Sequence, residues 1–362
     1  MKLHLIFIGN KFIYNRSLKE YVLRNIEKKV GTYTSVNYFL EGDNSLFLHL
    51  EEQLNKELKI IIVATKKSFS TIGKLLCTVT SDNQVLEDGM LIPQKCSLFT
   101  QNSYLLEYQQ ASVNVLQVDE EQKIPDILLT QEVSRETLQV FDESVENVLL
   151  LLTPLAQTYN VKIDVVELIN GWLEVHLSSD KFGDVTQFVD SAKQLLSKNI
   201  ITNRDIVLHI IEKLTLAKKK VSFAESCTGG LLAYLFTKRE GVSAIFDGSL
   251  VTYSNILKEN WLAVEHQSLE SHGAVSSEIV EQMSEGVMSV SSADYALSIS
   301  GIAGSSGGTE EKPVGTVYVS VRSQKEHKEI HLQLEGDRNY IQYQSALHAI
   351  KMLVLLDKDT FF

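Results

Sequence analysis

Apolar and polar positions change period along the chain, and the changes divide it. Leu3-His4-Leu5-Ile6-Phe7-Ile8-Gly9 is a short apolar run closed by a glycine, which reads as a buried first strand. The same stretch has the look of a short signal peptide, but Asn10 and Lys11 follow it without a small-residue cleavage site, so a buried strand is the expectation. Leu18, Val22, Ile26 and Val30 then recur at helical spacing over residues 15–30. A helical stretch around 45–56 leads to a second buried strand, Leu58-Lys59-Ile60-Ile61-Ile62-Val63-Ala64. Strand, helix, strand in that order predicts a parallel α/β domain. Residues 85–130 carry short strand patterns between polar turns.

Residues 136–158 look helical. Val161 to Val166 and Trp172 to Leu177 read as strands joined at Asn170-Gly171, a hairpin signal. A helix near 183–198 closes this small α+β unit. Residues 203–217 are amphipathic, with Ile206, Ile210, Ile211 and Leu214 on one side, and Lys218-Lys219-Lys220 suits the negative end of that helix. The expected architecture is therefore α/β: a parallel-sheet domain over 1–130, a small α+β connector over 131–199 and an α/β domain over 200–362.

Composition narrows the setting. The 362 residues are 44% hydrophobic and 22% charged, ordinary for a globular protein and long for a single core. No apolar run approaches the roughly 18 residues of a membrane span. Cys77, Cys96 and Cys227 form neither a metal-ligand pattern nor an even disulfide set, so a reducing cytoplasm is expected. The net charge of −12 argues against a nucleic-acid surface. Glycine is concentrated late: eleven of the 19 fall between residues 226 and 316. Glycine admits sharp turns and close approach of backbone to a ligand, which places the expected site in the last third.

Ala224-Glu225-Ser226-Cys227-Thr228-Gly229-Gly230 is the most informative stretch there. An apolar run precedes it and a helix-forming run, Leu231 to Phe236, follows. Strand, tight turn, hydroxyl, glycines and helix start suit acyl chemistry, because the turn exposes the oxygen and helix-start N–H groups can receive negative charge. A serine helix cap gives the same pattern. In Val251-Thr252-Tyr253-Ser254-Asn255-Ile256-Leu257-Lys258, Asn255 is the expected cap of a short helix that carries Lys258. In Ser271-His272-Gly273-Ala274-Val275-Ser276, Ser276 is the expected cap of a helix running to about Val290, supported by Glu278 or Glu281. An apolar strand, Tyr295 to Ser300, runs into the glycine-rich loop Gly301-Ile302-Ala303-Gly304-Ser305-Ser306-Gly307-Gly308-Thr309.

Together these segments, with Glu335-Gly336-Asp337-Arg338, resemble the C-terminal domain of the CinA family, the nicotinamide-nucleotide amidohydrolase, over roughly residues 200–355. The family usually has a proline where this chain has Ser305. The resemblance implies hydrolysis of the carboxamide of nicotinamide mononucleotide to nicotinate mononucleotide and ammonia, with no metal or cofactor. Ser226 is then the nucleophile, Lys258 the general base and Tyr253 a proton relay or orienting hydroxyl. Cys227 is a rival nucleophile and His272 a rival base, while Glu225 is expected to orient the turn or to pair structurally. Thr228, Gly229 and Gly230 would offer N–H groups to the oxyanion or the phosphate. Gly301, Gly304, Gly307, Gly308 and Thr309 form the other phosphate candidate, and Arg338 can pair with phosphate. The family also suggests a homodimer or larger oligomer.

The front of the chain is similar to the rest of a CinA protein, with losses. Ile8-Gly9-Asn10-Lys11-Phe12 stands where the family's molybdopterin-binding-like domain has an acidic pair, and Thr65-Lys66-Lys67-Ser68 replaces a glycine-rich loop. The pyrophosphatase-type activity of that domain is therefore not expected. The connector resembles the family's KH-like middle domain, without a Gly-x-x-Gly loop. The competing reading for the whole chain is a catalytically silent CinA-like scaffold or partner-binding protein.

Overall fold

The computed structural model describes residues 2–130, 134–304 and 307–362. The chain forms two compact units, Met1–Glu132 and Val133–Phe362. The first unit runs β1 (Lys2–Ile8), α1 (Asn10–Tyr14), α2 (Arg16–Val30), β2 (Ser35–Phe39), α3 (Ser45–Leu54), β3 (Leu58–Ala64) and α4 (Lys66–Thr80). A hairpin of β4 (Gln84–Glu87) and β5 (Met90–Pro93) follows, then β6 (Leu98–Thr100), β7 (Ser103–Tyr108) and β8 (Ala111–Gln117). The sheet order is β2-β1-β3-β8-β7-β6. The first four of these strands are parallel, and β7 and β6 are antiparallel. The spacing over 15–30 reads correctly: α2 buries Leu18, Val22, Ile26 and Val30.

Beyond the C-terminal end of β1, Lys11 donates to Asp119 at 2.9 Å and to Glu120 at 2.7 Å. Lys67 pairs with Glu41 at 2.9 Å, and Thr65 donates to the same carboxylate. Lys11 and Lys67 thus meet carboxylates of the chain itself.

The second unit begins with β9 (Ser134–Phe141), α5 (Val145–Thr158), β10 (Lys162–Ile169), β11 (Trp172–Ser179), α6 (Val185–Leu196) and β12 (Ile200–Ile201). They form an antiparallel sheet in the order β10-β11-β9-β12. The helix expected over 136–158 is corrected here: its first residues are strand, and the helix starts only at Val145. Asp142, at φ 56, turns the chain between the two. The Asn170-Gly171 hairpin forms as expected, with Gly171 at φ 67.

The rest of this unit runs α7 (Ile206–Ala217), β13 (Val221–Glu225), α8 (Leu231–Thr237), β14 (Phe246–Val251), α9 (Asn255–Leu262), α10 (His266–His272) and α11 (Ser277–Ser291). Then come β15 (Tyr295–Gly301), β16 (Thr316–Ser323), β17 (His327–Gln333), α12 (Arg338–Leu356) and α13 (Lys358–Phe361). The sheet order is β14-β13-β15-β16-β17, with β14, β13 and β15 parallel. Alternate residues of β13 point to opposite faces. Phe223 joins Ile210, Leu235 and Leu353 of α7, α8 and α12 on one face. Ala224 joins Leu262 and Met283 of α9 and α11 on the other. The chain leaves β13 toward β14 on one side and returns to β15 on the other. That makes the C-terminal end of β13 a topological switch point, where open α/β sheets form ligand crevices.

Candidate active site

The three motif loops leave the C-terminal ends of three adjacent parallel strands. Glu225 pairs with Val251 on one side and Ile299 on the other. The Ser226 N–H donates to the Ile299 carbonyl at 2.9 Å, and the Thr252 N–H donates to the Glu225 carbonyl at 2.9 Å. Ser226 is therefore tied to the sheet while its side chain begins the turn. Gly229 at φ 61 and Gly230 at φ 97 let the backbone reverse into α8, a conformation other residues adopt only with strain. Ser226 is 9% exposed.

Lys258 comes to Ser226 from α9. The cap of that helix is Ser254, whose Oγ accepts from the Leu257 N–H at 3.3 Å; Asn255, the expected cap, is the first helical residue instead. One turn on, the Lys258 side chain is only 1% exposed. Its Nζ donates to the Thr252 carbonyl at 2.6 Å and lies 3.1 Å from Ser226 Oγ. No carboxylate pairs with Lys258 among the described residues, and burial pushes its pKa down to about 8. A neutral amine held by one carbonyl can turn its lone pair to the serine hydroxyl.

Glu225, the residue before Ser226, is fully buried. Its carboxylate accepts from Thr228 Oγ1 at 2.7 Å, from the N–H groups of Gly230 and Leu232 at 3.0 Å and of Ala233 at 2.9 Å, and from Ser249 Oγ at 3.1 Å. This corrects the expectation that the helix start faces an oxyanion or a phosphate. The Gly230 N–H and the first amides of α8 point to Glu225, and the Gly229 N–H closes the turn on the Ser226 carbonyl at 3.1 Å. The Thr228 N–H has no hydrogen-bond acceptor among the described residues.

Tyr253 is also placed differently from the expected relay. It is 62% exposed, and its hydroxyl accepts from Arg338 at 3.1 Å, while the protein group in contact with Ser226 Oγ is Lys258. Arg338, exposed at the start of α12, adds a positive charge felt at the Cys227 thiol. That thiol is buried and is pushed up to about 12 by desolvation, so it stays protonated beside the serine. His272 ends α10 with its ring toward Glu278 at 3.5 Å, and its backbone carbonyl accepts from Lys312 Nζ at 2.7 Å.

The glycine-rich loop is partly structural. A side chain at Gly301 would meet the backbone of Thr316, and one at Gly308 the backbone of Val314. Gly304 lies in the bend after β15, Gly307 is open at φ 97, and Thr309 Oγ1 accepts from the Lys312 N–H. Ser305 lies outside the described residues. Ser276 occupies the cap position of α11 but donates to the Gly273 carbonyl at 3.0 Å instead of accepting from the helix. Glu278 does stand in that helix's first turn.

Sequence reasoning missed three supports. Gln342 of α12 donates to the Cys227 carbonyl at 2.6 Å and pins the turn. The Thr252 carbonyl holds Lys258. Lys312 bridges the glycine loop to the carbonyls of His272 and Val275. No residue-type signal marks contacts made to backbone carbonyls. Among the described residues, no group of three or more His, Cys, Asp or Glu is placed to hold a metal. None of their helices is long and apolar enough to cross a membrane.

Residues 203–356 match the sequence model of the CinA C-terminal domain. A CinA-like protein of Thermotoga maritima is 39% identical over 193 residues, 52% of this chain and 46% of that one. A CinA-like protein of Thermosipho melanesiensis is 41% identical over 175 residues, 47% of this chain and 43% of that one. The match thus spans less than half the length of these curated relatives. Among solved structures, the competence/damage inducible protein CihA from Agrobacterium tumefaciens is 36% identical, over 42% of this chain and 93% of that chain, with a TM-score of 0.42. Through the domain that holds the Ser226–Lys258 pair, the chain belongs to the CinA family.

Proposed function

We propose that this chain hydrolyses the carboxamide of nicotinamide mononucleotide to nicotinate mononucleotide and ammonia, with Ser226 as nucleophile and Lys258 as general base. The observation that carries this reading is the buried 3.1 Å contact between Lys258 Nζ and Ser226 Oγ. Burying a lysine without a carboxylate partner is destabilising. A scaffold gains nothing from it, whereas a base poised near neutral pH does.

In the first step the Ser226 hydroxyl proton passes to neutral Lys258 as Oγ bonds to the amide carbon. The Thr228 N–H, without a protein acceptor among the described residues, is the candidate donor to the resulting oxyanion. Collapse breaks the C–N bond, and the Lys258 ammonium returns its proton to the departing nitrogen, which leaves as ammonia. Water then attacks the Ser226 ester with Lys258 again as base, releasing the acid and restoring the hydroxyl. For the phosphate end, the candidate is Arg338, which no carboxylate pairs among the described residues. Supplying the full chain with nicotinamide mononucleotide, nicotinamide riboside and NAD and measuring ammonia tests the reading. Release is expected chiefly from the mononucleotide; none from any of the three sinks it.

A further inference from the structure

Glu225 does more than a helix cap requires. An α-helix start is served by one serine or threonine oxygen. Here a fully buried carboxylate accepts five hydrogen bonds and donates none, and no cation lies within ion-pair distance among the described residues. The five donors come from the nucleophile's turn, from α8 and from β14. One side chain thus joins three pieces of the site. A glutamine could not replace it, because its NH2 would face N–H and O–H donors. The carboxylate also offsets the positive end of α8, the feature that would otherwise draw anions to this turn. Its charge is felt at the neighbouring Cys227 thiol, where it acts against ionisation.

The charge has a chemical consequence. Hydrolysis turns a neutral carboxamide into a carboxylate at Ser226. A negative charge held behind the turn disfavours that product more than the substrate.

We propose that Glu225 is a positioning residue for Ser226 and that its charge makes the turn select neutral carbonyl groups over carboxylates, so that the acid leaves. This rests on the serine-hydrolysis reading. The test therefore uses a reaction that does not depend on the substrate's identity. The full chain is treated with a neutral arylsulfonyl fluoride and with one bearing a carboxylate. Ser226 Oγ bonds to sulfur, the S–F bond breaks, fluoride leaves and the hydroxyl proton passes to Lys258. The ratio of neutral to anionic labelling rates is read by mass spectrometry.

In Glu225→Gln the ratio should fall about tenfold, the size expected for one nearby charge in a screened site. Glu225→Asp should label more slowly yet keep the ratio; a purely structural role would leave the ratio unchanged in both variants, so the contrast between Gln and Asp separates the two. Ser249→Ala keeps the charge and removes one of its donors, so its ratio should rise. An unchanged ratio in folded Glu225→Gln overturns the proposal. If that variant does not fold, an unchanged ratio in Ser249→Ala overturns it instead. Ammonia release is measured in parallel. Labelling of Ser226 without ammonia from any amide removes the hydrolysis reading and leaves Glu225 to be judged on the ratios; no labelling at all overturns both.

Discussion

At the scale of single residues, the proposed hydrolysis rests on two side chains. Ser226→Ala removes the hydroxyl that Lys258 contacts, so ammonia release should fall by about a thousandfold or more. Turnover near the parent rate would sink the nucleophile. With Lys258 pushed down to about 8, about a tenth of the molecules carry the neutral base at pH 7. The kcat/KM for ammonia release should therefore rise through pH 8 and level off near pH 9, and Lys258→Met should abolish that rise along with most of the rate. A flat parent profile between pH 6 and 9 would remove Lys258 as base. Stability has its own sign. Between pH 8 and the ordinary lysine value the unfolded chain binds the proton more tightly than the folded one, so the parent gains stability as pH rises. Below pH 8 it bears the burial of a full charge. Lys258→Met lacks that term and should melt at or above the parent at pH 7, with the difference shrinking toward pH 10. Thermal melts at the two pH values check it.

At the scale of elements, the position of Lys258 depends on how closely two helices pack. Gly286 of α11 faces the end of α9, and an added Cβ would sit 2.0 Å from the Leu262 carbonyl oxygen. Gly286→Ala must push α9 away, at a cost of about 2–3 kcal/mol for an overpacked core, and α9 carries Lys258 one turn before Leu262. Both the melting temperature and kcat should drop; a variant matching the parent in both would show that α9 tolerates the shift. The elements themselves were mostly legible. The strand, turn and helix around Ser226 follow from an apolar run, two glycines and a second apolar run, and the Lys258 helix was legible too, though one residue off at its cap, which is Ser254 and not Asn255. Residues 136–141 were not legible, because Leu138, Val140 and Phe141 run into the apolar side of α5 and no glycine or proline marks the left-handed turn at Asp142. Nor were the roles of Glu225 and Tyr253 fully readable. A fully satisfied carboxylate and an exposed phenol on Arg338 are set by partners up to 85 residues away.

At the scale of the molecule, the matched region and the folding unit have different edges. The CinA C-terminal domain match begins at residue 203, yet the core around α7 and α12 also contains Phe141, Ile169 and Trp172 from the sheet before it. Phe141 stacks on Trp172 at 5.3 Å between ring centroids and meets Phe362 edge-on at 5.7 Å. Lys351 of α12 donates to the Asn170 carbonyl at the hairpin tip at 2.8 Å. Cutting at 203 would expose the partners of three large side chains, each worth about 1.5–3 kcal/mol when buried. The sum is comparable with the roughly 5–15 kcal/mol that holds a domain together. The loss would also reach the site, because α12 carries Arg338 and the Gln342 that pins the turn after Ser226. A fragment of residues 134–362 should therefore melt cooperatively and release ammonia within about twofold of the full chain. One of residues 203–362 should melt well below it and lose most of its rate even at temperatures where it stays folded. Equal melting temperatures and rates for the two fragments would show that the connector sheet is a passenger and that α12 is held by the last sheet alone.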